Sequence, residues 1–276
     1  MNQTAQKAKK LFVTNPMKME VTRFRSRFLN PTESTSVNRT LLSLVIVSYL
    51  VILGSIWSFR TDIPPTVLIL LQCVLGLIAA PTAAHAVIAG EKDRRSWDLL
   101  QSAPVSQAEI VVGKFMGVCG LVTGLMVAFL PAIVITALFY RGSGWGDLSI
   151  YRFVMSELFA ATSCYAAVAF TINLSARLKN ANATLVTSIA SLVGALVIYP
   201  LGLAVLLDSV HGSERIADIL LAWHPIYAII RLLSPTDYLF SALNFWFGIP
   251  LALFYSGLTV FFLRRAEAAL RKPKTE

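Results

Sequence analysis

Six long runs of apolar residues divide this sequence, and they constrain its fold more than any other feature. A helix needs about 20 mostly apolar residues to cross the hydrocarbon core of a bilayer. The runs of that kind are Leu41–Phe59, Thr66–Ala89, Val111–Tyr140, Phe153–Leu174, Ala183–Leu207 and Asn244–Leu263. We therefore predict an all-α integral membrane protein with six transmembrane helices.

The composition excludes the common soluble classes. Of the 276 residues, 56% are hydrophobic and 14% are charged, whereas a soluble domain carries about 25% charged residues. A disordered chain is also excluded, because disorder requires low hydrophobicity together with high net charge. The three cysteines each lie in an apolar run, which predicts buried side chains and neither a disulfide framework nor a zinc site.

The basic residues predict the orientation in the membrane. Six spans place both termini on one side, and 19 of the 24 Lys and Arg residues fall on that side. Because positive charge is retained in the cytoplasm, we expect both termini to be cytoplasmic. The unpaired cysteines, which suit a reducing cytoplasm, indicate a plasma membrane of the bacterial inner-membrane type. The same distribution accounts for the net charge of +9 without a nucleic-acid partner.

A basic amphipathic helix is predicted before the first span. Asn15-Pro16 has the pattern of a helix N-cap followed by proline at the first helical position. Apolar residues follow at spacings of one helical face, and basic residues lie mostly off that face. Such a helix is typical of a membrane surface, where it contacts the lipid bilayer; packing on another protein is the alternative. Its proposed surface residues are Met17, Val21, Arg23, Phe24, Arg27 and Phe28.

A charged segment between the second and third runs predicts a cytoplasmic helix, a sharp turn and a second helix. Charged residues fill its first turns, and apolar side chains follow them. Pro104 disfavours helix at the residue before it. Ser106 and Glu109 then match a capping box, which predicts a helix that continues into the third span. A simple solvated loop is the alternative.

The external side has little chain outside the membrane. Only the stretch 208–243 is long there, and it mixes apolar runs with proline. We predict short re-entrant helices in it, before the sixth span. The sequence thus divides into an N-terminal segment with the interface helix (1–39), a six-span domain (40–263) with a cytoplasmic segment at 90–110, and a basic tail (264–276).

Few polar residues suggest chemistry inside the spans. His85 lies late in the second span and Glu157 near the outer end of the fourth, so both are possible path-lining residues. A satisfied position between helices, or a place at the headgroup level, is the alternative for each. No H-E-x-x-H or G-x-S-x-G motif is present, so we expect no catalytic and no metal-binding residue. Gly113-Lys114 lacks the rest of a phosphate-binding loop.

The segment from Glu91 to Lys114 resembles the signature region of ABC-2 type transporter permeases. An acidic-basic cluster at 91–94 leads to Leu99-Leu100, then to Pro104, to the pair Glu109-Ile110 and to Gly113-Lys114. The N-terminal features Asn15-Pro16, Glu20, Arg23 and Arg27 are also similar to the start of this group. The six-span layout agrees over nearly the whole chain.

The resemblance implies the membrane subunit of an ATP-driven exporter. It would pair with a second permease, identical or different, and with separate ABC ATPase subunits that use ATP and magnesium, while this chain binds no cofactor. Residues 90–110, here called the coupling segment, would dock on the ATPase and drive alternating access at the interface of the two permeases. Trp97 and Leu100 would anchor that contact, and charged residues would steer it. The residues implied are Glu91, Asp93, Arg94, Arg95, Trp97, Leu99, Leu100, Pro104 and Glu109.

Two other functions are weaker readings of the sequence. An ion-coupled secondary transporter would favour internal repeats and broken helices, and no repeat is found. An intramembrane enzyme would need paired catalytic residues at membrane depth, and none stands out.

Overall fold

A computed structural model describes residues 65–102, 104–139, 150–209, 220–233 and 241–271, together with positions 43, 46, 47, 49, 50 and 54. Every regular element in these ranges is helical. The predicted interface helix lies outside the described residues, with Met17, Val21, Arg23, Phe24, Arg27 and Phe28, and so does most of the first span. The all-α class is confirmed for the described chain.

The helices are numbered here in chain order. They are α1 (Pro65–Ala84), α2 (Ala89–Asp93), α3 (Trp97–Ser102), α4 (Gln107–Phe139), α5 (Ile150–Arg177), α6 (Ala181–Val193), α7 (Tyr199–Ser209), α8 (Pro225–Leu233) and α9 (Ser241–Arg271). One turn of π-helix, Gly194–Ile198, joins α6 to α7 without a break.

Five helical stretches are long and apolar enough to cross a membrane. They are Pro65–Asp93, Gln107–Ala137, Tyr151–Arg177, Ala181–Leu206 and Gly248–Arg271. They match the second to sixth predicted spans. The count of six stays a prediction, because the first run lies mostly outside the described residues.

Helix α5 is the centre of the bundle, and α9, α1, α8, α4 and α6 pack on it. Small side chains let α1 and α5 approach closely. A Cβ atom placed on Gly76 would lie 2.7 Å from the Sγ atom of Cys164, so that contact requires glycine. On the other side of α5, the rings of Phe159 and Tyr255 meet edge to face with centroids 5.4 Å apart. Close helix packing of this kind is the main association force between spans.

The fifth predicted span is packed only in part. Thr184 and Ser188, near the start of α6, are buried. Farther along, an apolar stretch of 18 residues in Ala181–Leu206 has none of its residues buried. Leu201 and Val205 are 61% and 67% exposed. This helix therefore presents a long apolar surface outside the bundle.

The external stretch contains one described short helix. Helix α8 is 9 residues long, too short to cross a bilayer. Its residues Ala228, Ile229, Leu232 and Leu233 are buried against the bundle. A short packed helix agrees with the predicted re-entrant region, and its depth in the membrane stays a prediction.

His224 links this helix to the π-helical turn. Its Nδ1 atom accepts the Tyr227 backbone N–H at 3.3 Å, so the hydrogen of the neutral ring is on Nε2. Nε2 can therefore donate to the Leu196 carbonyl at 3.2 Å. Burial lowers the pKa of His224 below its ordinary value of 6.5, although the bond to Leu196 works in the opposite direction. Burial therefore favours the neutral form of the ring.

Candidate functional site

The coupling segment reverses direction between α2 and α3. Arg95 has a φ of 57°, in the left-handed region that residues with a Cβ atom seldom adopt. The Ser96 backbone N–H then donates to the Glu91 carbonyl at 3.0 Å, and the Ser96 hydroxyl donates to the same oxygen at 3.2 Å. These bonds satisfy a carbonyl at the end of α2 and hold a turn that the sequence did not predict, since the predicted sharp turn was at Pro104.

A buried ion pair joins α2 to α4. The Lys114 Nζ atom lies 2.6 Å from Oε1 of Glu91, and the exposed fractions of the two side chains are 2% and 28%. A buried ammonium is tolerated only when it is paired and hydrogen-bonded. The pair therefore fixes the position of α2 relative to the first turns of α4.

Lys92, the next residue of α2, contacts the end of α5. Its ammonium group donates to the carbonyl of Ala176 in the last turn of that helix. A cation is favourable there because the helix dipole places partial negative charge at the C-terminus. The same ammonium lies 6.0 Å from the centroid of the Trp97 ring. Trp97 is only 4% exposed and is part of the main core, so it packs inside the chain.

A third contact joins α2 to the turn between α5 and α6. A carboxylate oxygen of Asp93 accepts the Ala181 backbone N–H at 3.0 Å. The side chain of Asn180 caps α6 and accepts hydrogen bonds from the N–H groups of Asn182 and Ala183. Together they satisfy N–H groups that the start of α6 would otherwise leave without partners.

Ser175 holds the junction of α1 and α2. Its hydroxyl accepts the N–H groups of Ala89 at 2.8 Å and Ile88 at 3.2 Å, and it donates to the His85 carbonyl at 2.8 Å. The break between α1 and α2 leaves these backbone groups without partners in the helices, and the Ser175 hydroxyl supplies the missing hydrogen bonds.

The predicted capping box is confirmed. The Glu109 N–H donates to the Ser106 hydroxyl at 3.3 Å, and the Ser106 N–H donates to the Glu109 carboxylate at 2.8 Å. Helix α4 accordingly begins at Gln107. Glu109 is 4% exposed, so it serves this cap and does not face outward.

The predicted coupling residues differ in their exposure. Asp93, Arg94, Arg95 and Pro104 are exposed. Glu91 and Leu100 are half-buried, and Trp97 and Glu109 are buried. The side chain of Leu99 lies outside the described residues. Lys114 and Lys92 were not among the predicted site residues; an isolated lysine at the start of an apolar run, which must find a partner, is the signal that indicates Lys114.

The two possible path-lining residues lie on different helical segments and at different levels: His85 directly follows α1, and Glu157 is on α5. The Nδ1 atom of His85 is 2.9 Å from the Thr82 carbonyl, so the ring is bonded within its own turn. Glu157 accepts a hydrogen bond from Gln72 at 3.1 Å. Gln72 and His85 are about 20 Å apart along the chain's helical rise. The structure therefore does not bring His85 and Glu157 into one site.

The long apolar helices, which the charged coupling segment connects at one end, define a multipass integral membrane protein. A family model described as ABC-2 family transporter protein matches residues 6–245. The chain belongs to this family and is an ABC transporter permease. Such permeases are membrane subunits that generally work with ABC ATPase subunits, the ATPase typically being a separate chain. The comparison with curated proteins finds no match.

Proposed function

We propose that this chain is the permease subunit of an ATP-driven exporter, and that separate ATPase subunits drive it through the coupling segment. The arrangement of that segment carries the proposal. Its outer side presents the charged residues Arg94 and Arg95. Its inner side is bonded to three other helices through Glu91, Lys92 and Asp93. A partner that moves the segment would therefore move the ends of α4, α5 and α6 together.

In this mechanism the exposed residues contact the ATPase and the buried ones transmit the motion. Arg94 and Arg95 would pair with acidic side chains of the ATPase and steer its docking. Trp97 takes a positioning role, since its ring is covered by the chain itself. The expected absence of a cofactor follows the same division, because ATP and magnesium would act in the ATPase.

The partly packed fifth span supports a second permease as the other partner. A long apolar helix surface that its own bundle does not bury faces either lipid or another helix. We place the interface of the two permeases along α6 and α7, and the substrate path beside it. Rigid-body rocking at such an interface would give alternating access. Both termini would be cytoplasmic in the plasma membrane.

Co-purification with the ATPase tests the proposal. The Arg94→Glu/Arg95→Glu variant reverses the exposed charge and leaves the three inner contacts intact. We expect it to insert normally and to recover about tenfold less ATPase, in the range of an interface hot spot. The matched control is Lys179→Glu/Arg264→Glu, with the same charge change at exposed residues elsewhere on the predicted cytoplasmic side. Equal recovery from wild type and the Arg94→Glu/Arg95→Glu variant would contradict the docking assignment.

A further inference from the structure

A groove of about 380 Å³ lies between α4 and α5. Its rim is exposed and apolar, with Val127, Val154 and Leu158 at 55%, 49% and 44% exposure. Met126, Leu130 and Ala161 add further apolar surface. The groove also contains one carboxyl group, Glu157. An ionisable residue in a mostly apolar groove between membrane-spanning helices indicates a functional site.

Glu157 lies below the end of its span. It is about 9 Å along the helix axis from Tyr151, where the spanning stretch begins. Its Oε2 atom accepts from Nε2 of Gln72 at 3.1 Å. The same nitrogen donates to the Met126 carbonyl at 3.0 Å, so both hydrogens of the Gln72 amide are used. This pattern fixes the orientation of the amide, because only the nitrogen can donate to two acceptors.

Two acceptor oxygens remain without a donor. Oε1 of Gln72 and Oε1 of Glu157 are both buried and have no hydrogen-bond partner within the described chain. Gln72 itself is 0% exposed. A buried unsatisfied acceptor is unfavourable by about 1–3 kcal/mol, and by more when it carries charge. The site is therefore short of hydrogen-bond donors.

The other polar groups of the groove do not supply one. The hydroxyl groups of Thr123 and Tyr165 bond to each other at 2.7 Å. The Thr123 hydroxyl also lies 2.7 Å from the Cys119 carbonyl. These groups bond to each other and to the backbone, so neither donates to Glu157, whose Oε1 atom has no partner within the described chain.

We propose that this groove binds a ligand with a long apolar body and an ammonium group. The ammonium would donate to the Glu157 carboxylate, in the strong class of charge-assisted hydrogen bonds. The apolar body would lie along the exposed rim, and an anionic group at the same depth would be repelled by Glu157. The inference rests on the proposed transport function and names the class of molecule that such a permease engages.

Binding of n-dodecylamine to the purified full-length chain tests the proposal. The chain is placed in nanodiscs of neutral lipid, and bound radiolabelled amine is measured by equilibrium dialysis against empty nanodiscs at neutral pH. We expect saturable binding above that of the empty nanodiscs. Glu157→Gln should weaken it about tenfold, or about 1.4 kcal/mol. The control Glu267→Gln makes the same chemical change outside the groove and should leave binding unchanged.

Two further arms separate the ammonium contact from membrane partitioning. Dodecanol has the same chain without the charge, and its binding should not depend on Glu157. Ala161→Phe fills the groove and should weaken the binding of both molecules. Equal amine binding by wild type and Glu157→Gln, or no saturable binding by wild type, would overturn the proposal. No ATPase is present in this assay, so its failure and the failure of the proposed coupling are read separately.

Discussion

The ion pair between Lys114 and Glu91 gives the most direct test of how the coupling segment is held. The side chain of Lys114 is 2% exposed, whereas that of Glu91 is 28% exposed. Glu91→Leu leaves a fully buried ammonium and should lower the free energy of unfolding by about 3–5 kcal/mol. Lys114→Met leaves the more exposed side chain of the pair without its partner, so its effect should be smaller, about 1–3 kcal/mol. The double variant replaces the pair with apolar groups and should be more stable than Glu91→Leu alone.

Thermal unfolding of the purified chain, followed by tryptophan fluorescence, measures these differences. For a chain of this size about 1 kcal/mol corresponds to a Tm shift of about 2–4 °C, so Glu91→Leu should lower Tm by about 6 °C or more. The pair Arg271–Glu267 is the control, because it also joins a basic side chain to a glutamate but its basic side chain is 68% exposed. Arg271→Ala should change stability by about 0.5 kcal/mol or less.

The second readout is the ATPase activity of the complex. If the ion pair transmits motion from α2 to α4, the double variant should remain folded and still fail to couple substrate to ATP hydrolysis. The reasoning from burial would be refuted if the double variant lost as much stability as the two single variants together. It would also be refuted if neither single variant lost more stability than Arg271→Ala. Full coupling in a stable double variant would refute the role of the pair in transmission.

Three further outcomes can be measured by thermal unfolding. Ser106→Ala should lower stability by about 1 kcal/mol because it removes the N-cap of α4, and Ser106→Thr should retain most of it; equal losses in both would contradict the cap. Gly76→Ala should lower stability by about 1–3 kcal/mol because its methyl group meets the sulfur of Cys164; Cys164→Ala in the same chain should restore part of the loss, and no rescue would argue against this contact. Burial lowers the pKa of His224, so the unfolded chain binds its proton first, and the stability from this group is complete above pH 6.5 and falls as the pH drops below it. His224→Gln should flatten that part of the pH profile, and an unchanged slope would contradict the assignment.

Local patterns predicted local structure well. The capping box predicted the start of α4 at Ser106, one residue before Gln107 where the helix begins, because both halves of the motif lie within one turn. Apolar runs likewise predicted the helical spans, because the length and hydropathy of a run decide whether a helix can cross a bilayer. Pro104 lies outside both α3 and α4, as the chemistry of proline predicts.

Contacts between distant residues could not be predicted in this way. Lys114 pairs with Glu91 across a turn, and nothing in either residue names the other. Trp97 was expected to anchor a partner, yet a helix of six residues has no periodicity that tells its inner face from its outer one. Its burial depends on where α5 ends, since Lys92 covers the ring while it bonds to that helix. The Glu157–Gln72 bond likewise depends on how α1 and α5 pack.

The polar contacts of the coupling segment also bear on how a small motion could reach the fifth span. Apolar packing is non-directional, whereas a hydrogen bond or an ion pair holds one group at a fixed distance and angle. Helix α6 is held at its first residue by Asp93, through the Ala181 N–H. Farther along the span, His224 contacts the Leu196 carbonyl. Between and beyond these contacts much of its apolar surface is not packed by the bundle. Under the proposed function, a displacement of α2 would therefore tilt this helix about the His224 contact, and the unpacked surface where we place the second permease would move farthest.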